Sequence, residues 1–367
     1  MVVKVFAINP GSTSTKIALF EDEECLFKST VRHPSEELAQ YGSLSEQMGY
    51  RVASITTALE EGKIDLSGCA AFVGRGGGLL PLEGGVYEVT DLVAEHSITC
   101  ANGVIHPAGL GPTLARSFAA RLGGRAFVVN PPDTDELCDL ARMTGIKGVY
   151  RNVHLHALNL KETAIRHAHG MGRRYDECNF VVCHLGGGLS VSAHRHGRMI
   201  DGNDIVGGDG PMAPTRCGAV PVAEVLNYLE AGHSIAEVRK MCMKTGGFED
   251  LLGTSDAIEV VRRAGEGDTM AALAWHGMIY QVCKEIGSMA AALGGRVDGI
   301  LLGGGMVYEQ SLVKAIEDNC GWIAPVSAYP GEFEMEAMAA GAIRVLTGEE
   351  ALKTYTGIPV FQGFCEQ

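Results

Sequence analysis

The chain has 367 residues, of which 46% are hydrophobic and 20% charged, and its formal net charge is −14. The length exceeds one ordinary core and predicts two domains, while the acidic charge argues against nucleic acid as the main partner, because binding its backbone needs clustered lysine and arginine. No uncharged apolar stretch approaches the roughly 20 residues that span a bilayer, and eleven scattered cysteines without a Cys-x-x-Cys pair indicate reduced thiols in the cytoplasm.

The chain begins with a predicted β-hairpin. An apolar run at residues 2–8 is followed by the small polar turn 9–14 and a second strand at 16–20. Glycine lets the backbone approach a ligand closely, and successive N–H groups of such a turn converge on an anion. The pattern therefore predicts a phosphate-binding turn around Gly11.

Strands and helices then alternate, which favours an α/β fold. The predicted elements are a helix at 44–61, a strand at 69–73, a helix at 113–122, a strand at 126–129, a helix start within 130–137 and a helix at 154–169. Arg75 lies inside the glycine run 74–78, where an anion ligand and a surface loop residue are equally compatible readings. The segment 130–137, rich in Pro and Asp, is the predicted crossing between the domains.

Residues 179–196 form a second predicted hairpin that repeats the first. An apolar run leads to His184, then to the glycines at 186–188, then to an alternating strand. In both hairpins a polar residue closes the first strand, glycine follows, and hydroxyl side chains enter the second strand. We interpret the repeat as an internal duplication in which both turns bind phosphate.

A long loop rich in Gly and Pro follows at 201–219. Long loops in compact domains are usually functional or disordered, and the pair Thr215 and Arg216 favours function. Further helices are predicted at 222–231, 235–244, 256–264, 269–293 and 334–346. Several helices are thus predicted after this loop.

A third glycine turn follows the apolar strand that ends at residue 302. Here the glycines at 303–305 and Met306 precede a helical pattern instead of a returning strand. The two commonest nucleotide signatures, GxxxxGK[ST] and GxGxxG, are absent from the sequence. The three turns together predict one long nucleotide held between two similar halves.

Six segments in order resemble the butyrate kinase branch of the acetate kinase family, in the superfamily of sugar kinases, heat-shock ATPases and actin. They are 8–16 (INPGSTSTK), 73–78 (VGRGGG), 183–194 (CHLGGGLSVSAH), 214–221 (PTRCGAVP), 301–306 (LLGGGM) and 332–342 (EFEMEAMAAGA). The resemblance implies duplicated ribonuclease-H-like α/β domains, the actin-like ATPase fold, with the active site in the interdomain cleft. It implies an N-terminal domain of residues 1–134 plus 337–367 and a C-terminal nucleotide-binding domain of residues 135–336.

The resemblance also implies the chemistry: phosphorylation of a short carboxylic acid by ATP with Mg²⁺, giving an acyl phosphate. The catalytic residues that it implies are Arg75, His106, Asp133, His184 and Arg216. The implied nucleotide ligands are Asn9, Gly11, Ser12, Thr13, Ser14, Lys16, Gly186, Gly187, Gly188, Gly303, Gly304, Gly305 and Met306. Asn9 and Glu334 match the residues that position Mg²⁺.

One position departs from the family pattern. Where relatives carry an aspartate after the strand that precedes the domain crossing, this chain has Asn130. Asp133 or Asp135 could substitute for that aspartate, or Asn130 could act through its carbonyl alone. The departure puts activity itself in question.

The sequence thus predicts a cytoplasmic butyrate kinase that binds ATP or ADP and a small acid or acyl phosphate. Isobutyrate, acetate and propionate remain alternative substrates, and a catalytically impaired nucleotide-binding paralogue is the alternative from another class. The resemblance implies a homodimer or larger homo-oligomer, with no nucleic acid or membrane partner.

Overall fold

The computed structural model of the chain describes residues 2–364. Its strands are β1 (Lys4–Pro10), β2 (Ser14–Glu21), β3 (Glu24–Arg32), β4 (Ala71–Gly74), β5 (Val86–Glu88), β6 (Arg125–Val129), β7 (Asn179–Leu185), β8 (Leu189–Arg195), β9 (Arg198–Gly202), β10 (Gly299–Gly304), β11 (Val326–Pro330) and β12 (Leu352–Lys353). Its α-helices are α1 (Ser35–Leu38), α2 (Met48–Glu61), α3 (Asp91–Thr99), α4 (Gly111–Leu122), α5 (Asp139–Arg142), α6 (Ala157–Gly170), α7 (Val222–Glu230), α8 (Ile235–Lys240), α9 (Phe248–Leu252), α10 (Ala257–Gly265), α11 (Thr269–Ala292), α12 (Gln310–Cys320) and α13 (Glu334–Thr347). Within residues 2–364, no helix combines the length and apolarity that crossing a membrane requires.

The chain divides into two compact units. Unit 1 is Met1–Asp135 with Phe333–Gln367, and unit 2 is Glu136–Glu332. Residues 1 and 365–367, which the sequence assigns to the N-terminal domain, lie outside the described residues.

The two units repeat one strand arrangement. Unit 1 has the sheet order β12-β5-β6-β4-β1-β2-β3, and unit 2 has the order β11-β10-β7-β8-β9. In unit 1, β1, β2 and β3 are antiparallel neighbours, while β4 and β6 continue parallel to β1. In unit 2, β7, β8 and β9 are antiparallel neighbours, while β10 and β11 continue parallel to β7. Each unit therefore carries one hairpin whose first strand lies inside its sheet, next to a parallel strand.

Helices on both faces bury these central strands, which explains their nearly continuous apolar sequences. In β7, Val181 and Cys183 join the core with α11, whereas Phe180 and Val182 join the core with α6. Side chains alternate between faces along a strand, so His184 continues the α6 side. In unit 1, α4 packs on β1, β4 and β6, with Phe118 against Phe6 and Phe72.

Two sequence predictions need correction. The predicted helix start within 130–137 is wrong, because this segment pairs instead with Leu82, whose backbone N–H donates to the Asp133 carbonyl and whose carbonyl accepts from the Asp135 N–H. The first α-helix after it is the short α5. The predicted helix at 235–244 has the expected capping box of Ser234 with Glu237 but ends as α8 at Lys240 and continues as a π-helical turn, Met241–Thr245.

Candidate active site

The glycine turn of unit 2 is covered by an arginine. Residues 186–188 connect β7 to β8, and a Cβ atom at Gly188 would lie 1.5 Å from Nη1 of Arg216. Thr215 Oγ1 donates to the Gly187 carbonyl oxygen at 3.0 Å. The loop after β9 is thus docked on the turn, and a side chain at 188 would have to displace the guanidinium above it.

Arg216 has unused hydrogen-bonding capacity. Its Nε and Nη1 atoms are buried and have no hydrogen-bond partner in the described part of the chain. Burial lowers the pKa of the Arg216 guanidinium, and Asp204 opposes that shift. Leaving a buried donor unpaired costs about 1–3 kcal/mol, and more for a charged group. An anion at the glycine turn would satisfy Nη1, the nitrogen nearest the turn.

His184 lies at the mouth of the same turn and is held by α6. Its Nδ1 is 2.9 Å from Nδ2 of Asn159, and an amide nitrogen is a donor only, so Nδ1 accepts and the proton of the neutral ring sits on Nε2. That Nε2 is 3.9 Å from Oε1 of Glu332 and 3.1 Å from where a Cβ at Gly186 would lie. His184 can therefore donate beside the turn.

His156 supports His184, a role that sequence reasoning missed. The two imidazole rings stack with centroids 4.0 Å apart, and His156 Nδ1 is 2.8 Å from Ser190 Oγ on β8. The His-x-His spacing of His154 and His156 draws attention only to metal binding. Stacking between residues 28 positions apart in the chain leaves no periodic signal in the sequence.

A cavity of about 670 Å³ joins the second and third glycine turns. This volume is in the range of small-molecule sites. Its lining residues are Gly186, Gly187, Pro214, Ser255, Ala257, Ile258, Val261, Trp275, Gly305, Met306, Tyr308, Glu309 and Glu332. Gly303 and Gly304 belong to β10 behind this wall, and Gly304, with φ +102°, packs so closely on Leu185 that a Cβ would lie 2.3 Å from its carbonyl oxygen. Gly304 thus shapes the third turn without lining the cavity.

The glycine turn of unit 1 is more open than its counterpart. Residues 11–13 connect β1 to β2, and the Gly11 N–H donates to the Ser14 carbonyl oxygen at 2.7 Å. Ser12 and Thr13 are exposed, and so is Lys16 on β2, which is paired with Asn9 across the ladder. A Cβ at Gly11 would meet its nearest neighbour at an ordinary 3.4 Å.

Three predicted residues of unit 1 form one polar cluster. Asn9 Nδ2 donates to Glu334 Oε2 at 2.7 Å, and Arg75 Nε lies 3.4 Å from Glu334 Oε1. Arg75 is 8% exposed, and its Nη1 is buried with no partner among the described residues. Like Arg216, Arg75 is a buried guanidinium with a donor available for an anion.

His106 lies in a loop that packs on the Arg75 turn. Its Nδ1 accepts from the Ala108 N–H at 3.1 Å, and His106 is an exposed residue. Gly111, the first residue of α4, follows this loop and lies so close that a Cβ there would be 2.2 Å from the Arg75 carbonyl oxygen. Backbone packing therefore brings the two predicted segments together.

The residues around the family departure are hydrogen-bonded within unit 1. Asn130 adopts φ +38°, and its Oδ1 accepts from the Gly85 N–H at 2.7 Å. Asp133 is 4% exposed, and its Oδ1 accepts from Asn102 Nδ2 at 2.5 Å. The side-chain carbonyl of Asn130 thus has a structural partner.

Relatives decide the family. The chain is 43% identical over 97% of its length to the whole of a protein named "Probable butyrate kinase" from Clostridium botulinum strain Alaska E43, and 42% identical, with the same coverage, to the protein of that name from strain Eklund 17B. A model of the acetokinase family matches residues 144–320. The chain belongs to the acetokinase family. It is therefore a kinase, as the sequence predicts.

Solved structures of this acetokinase's relatives confirm the predicted fold. The Porphyromonas gingivalis acetate kinase aligns over 94% of this chain and 100% of its own, with a TM-score of 0.78 at 20% identity. A Francisella tularensis propionate kinase aligns over 92% of this chain and 98% of its own, with a TM-score of 0.70 at 17% identity. The predicted α/β fold with duplicated ribonuclease-H-like units is thus correct.

Proposed function

We propose that this acetokinase transfers the γ-phosphoryl group of ATP to the carboxylate of butyrate, directly and reversibly, giving butyryl phosphate. The observation that carries the proposal is Arg216, whose buried Nε and Nη1 atoms have no hydrogen-bond partner among residues 2–364 and lie beside a glycine turn. The name of the two Clostridium botulinum relatives favours butyrate over other acids.

The residues of both units suit a carboxylate nucleophile. A carboxylic acid with a pKa of about 4–5 is already ionised at neutral pH, so no general base is needed. The protein must instead hold two anions against their repulsion and stabilise charge on the transferring group. Arg75, Arg216 and His184 are donors of that kind, and an arginine fork gives two parallel hydrogen bonds to a carboxylate or phosphate.

We assign roles to the catalytic residues as follows. Arg75 binds the acid carboxylate or the incoming phosphoryl group, and Arg216 bridges the phosphoryl oxygens. His184 donates from Nε2 to an equatorial oxygen. His106 acts near the phosphoryl group from the loop beside Arg75, and Asp133 is the proposed replacement for the family aspartate.

The cavity of unit 2 is proposed to bind the adenosine of ATP. Met306 and Trp275 form part of the apolar wall of this cavity, and Glu309 adds a polar group to its lining. The first and second turns then take phosphate groups through their backbone N–H groups and hydroxyls. ADP would occupy the same cavity in the reverse reaction.

The donor set of unit 1 fits Mg²⁺. Asn9 and Glu334 offer a carbonyl and a carboxylate oxygen, and Mg²⁺ commonly takes one or two carboxylates and completes its shell with water and phosphate oxygens. Within residues 2–364, no group of three or more His, Cys, Asp or Glu could hold a metal. When bound, Mg²⁺ neutralises charge on the phosphates.

The direct test is a hydroxamate assay on the purified protein with ATP, Mg²⁺ and each acid from acetate to valerate, including isobutyrate. Hydroxylamine traps acyl phosphate as it forms. We expect a rate that peaks at butyrate and is lost in Arg216→Gln. A peak at acetate, propionate or isobutyrate would replace the acid but retain the reaction. No product from any acid, with ATP still bound, would identify an impaired paralogue.

We also propose a homodimer or larger assembly in the cytoplasm, where ATP is available. The amphipathic helix α7 has no buried residue, and its Val222 and Leu226 are 75% and 54% exposed. A second copy of the chain would cover these side chains. Light scattering should return at least twice the chain mass of 38.8 kDa, and a monomer alone would contradict this.

A further inference from the structure

A fully buried arginine lies behind the first glycine turn. Arg51, on the first turn of α2, is 0% exposed, and it shares the buried face of this helix with Ile55 and Leu59. Arginine is among the residues least often fully buried unless it is paired. The groups that pair with the buried Arg51 guanidinium therefore need to be identified.

Arg51 is held entirely by neutral oxygen atoms of unit 1. Nη1 donates to the carbonyl oxygen of Gly11 at 3.0 Å and to Thr15 Oγ1 at 3.1 Å, and Nε and Nη2 donate to Gln47 Oε1 at 3.2 and 3.0 Å. Longer contacts of 3.5 Å reach the carbonyl oxygens of Ser12 and Ser14. The guanidinium thus gathers the carbonyl groups of the turn on one side.

No carboxylate balances this charge. None of the described hydrogen-bond partners of Arg51 is Asp or Glu, and it appears in no described salt bridge. Burial lowers the pKa of Arg51. Burying a charged group without an opposite charge is costly, so an anion close to the turn would recover part of that cost.

The other side of the turn is available for an anion. Ser12 and Thr13 are exposed, and no described residue accepts a hydrogen bond from either backbone N–H. With the carbonyl groups occupied by Arg51, the turn offers donors and hydroxyls together with an uncompensated positive charge behind them.

We propose that Arg51 is a positioning residue for phosphate at the first turn: it fixes the turn carbonyls and supplies the charge that a bound phosphate group neutralises. This inference rests on the proposed function, in which the first turn binds a phosphate of ATP. In this inference Arg51 does not touch the phosphate but sets the affinity of the turn residues that do.

Gln47 provides the sharpest test, because Gln47→Glu places a carboxylate against Arg51 with almost no change of shape. If Arg51 only stabilises the fold, the new ion pair leaves phosphate binding unchanged. If its charge serves the phosphate, the variant unfolds at an equal or higher temperature and yet binds phosphate more weakly at this turn. Arg51→Lys keeps the charge and should retain part of the affinity that Arg51→Gln loses.

The experiment titrates inorganic phosphate into the ¹⁵N-labelled full chain and follows amide signals of the two glycine turns separately. In Gln47→Glu and Arg51→Gln we expect the apparent Kd from Ser12 and Thr13 to rise about tenfold or more, as expected when a bond to a charged group weakens, with the Kd from residues 186–188 unchanged. Gln40→Glu, at an exposed position of unit 1, is the matched control for net charge.

An unchanged Kd at Ser12 and Thr13 in Gln47→Glu, an equal loss at both turns, or no phosphate binding at the first turn of the wild-type chain would overturn the inference. These outcomes do not depend on turnover. A chain that binds phosphate as expected but forms no acyl hydroxamate refutes the proposed function alone.

His33 gives a second readout. Its Nε2 is 2.8 Å from Thr15 Oγ1, and burial, followed by the charge of Arg51, lowers the pKa of His33 to about 4, with Glu37 opposing the shift. Arg51→Gln should raise that pKa in an NMR titration, whereas Arg51→Lys should not. A His33 pKa that is the same in all three proteins would show that Arg51 carries no charge felt at the turn.

Discussion

The two glycine turns occupy equivalent places in the repeated strand order, yet each receives its positive charge from a different side. In unit 2 the guanidinium of Arg216 lies on the glycines and has donors left for a ligand. In unit 1 the guanidinium of Arg51 lies behind the turn and donates to its carbonyl groups. If both turns bind anions as proposed, the duplicated hairpin uses two arrangements: direct contact in unit 2 and support from behind in unit 1.

The difference is also visible in steric terms. Gly188 cannot carry a side chain while Arg216 is in place, whereas Gly11 has room for a Cβ at 3.4 Å. An alanine at 188 would have to move the Arg216 side chain, whereas an alanine at 11 fits the described residues around it without a shift.

The largest expected effect comes from removing the arginine on the second turn. Arg216→Gln should lower kcat/KM for acyl phosphate formation by about a thousandfold, the scale of an arginine that stabilises a transferring phosphoryl group. The variant should be as stable as the wild type or more so, because it removes buried nitrogens that lack partners. Rates and thermal unfolding check both parts, and an active variant would refute the assigned role.

The next effect compares the two glycines directly. Gly188→Ala must displace the Arg216 guanidinium and should cost about a hundredfold in kcat, since a 1 Å misplacement can have that effect. Gly11→Ala should cost less than about tenfold, because no protein atom obstructs its Cβ. Steady-state rates of both variants, with circular dichroism to confirm folding, decide the point. Equal losses would remove the distinction between the turns.

Acid should weaken unit 1 through His33. The pKa of His33 is lowered to about 4 by burial and by Arg51, so the unfolded chain binds a proton near pH 6.5 while the folded chain does not. Stability is therefore lost as pH falls from about 6.5 towards 4, by about 2 kcal/mol. Hydrogen exchange of β2 and β3 at pH 7 and pH 5 measures this, and His33→Gln should flatten the dependence.

Rising pH should lower the stability of unit 2 through Glu285 on α11. Burial, then Asp209, raises the pKa of Glu285 to about 7, with Arg151 opposing. The folded chain holds the proton longer than the unfolded one, so stability falls as pH rises from about 4.5 through 7. Glu285→Gln should raise the free energy of unfolding by about 1–2 kcal/mol at pH 8 and hardly at all near pH 4. A gain that is independent of pH would contradict the assignment.

Sequence reasoning could find the hairpins because both of their central strands are buried on two faces and end at glycine. It could not find β3, an edge strand whose residues are exposed or half-buried, and it misread 130–137, where pairing with Leu82 overrides the Pro and Asp signals of a helix start. Arg216 could be proposed because it interrupts a glycine-rich loop.

Arg51 and His156 could not be predicted for a different reason. Arg51 lies 40 residues from Gly11 in the chain, and its charge suggests exposure although its position falls on the face of α2 that carries Ile55 and Leu59. Its burial follows from how α2 packs on the hairpin. Such roles depend on tertiary contacts between segments whose local patterns are ordinary.

The proposed function divides the substrates between the two units: Arg75 of unit 1 binds the acid carboxylate or the incoming phosphoryl group, and the cavity of unit 2 binds the nucleotide. The most direct measurement is the KM for butyrate and for ATP in Arg75→Gln and in Ile258→Glu, the latter a change at a cavity residue that is 82% exposed. We predict that Arg75→Gln raises the butyrate KM by about tenfold or more, as the loss of one charged contact would. Ile258→Glu should raise only the ATP KM. Two variants that raise both KM values equally would contradict the account.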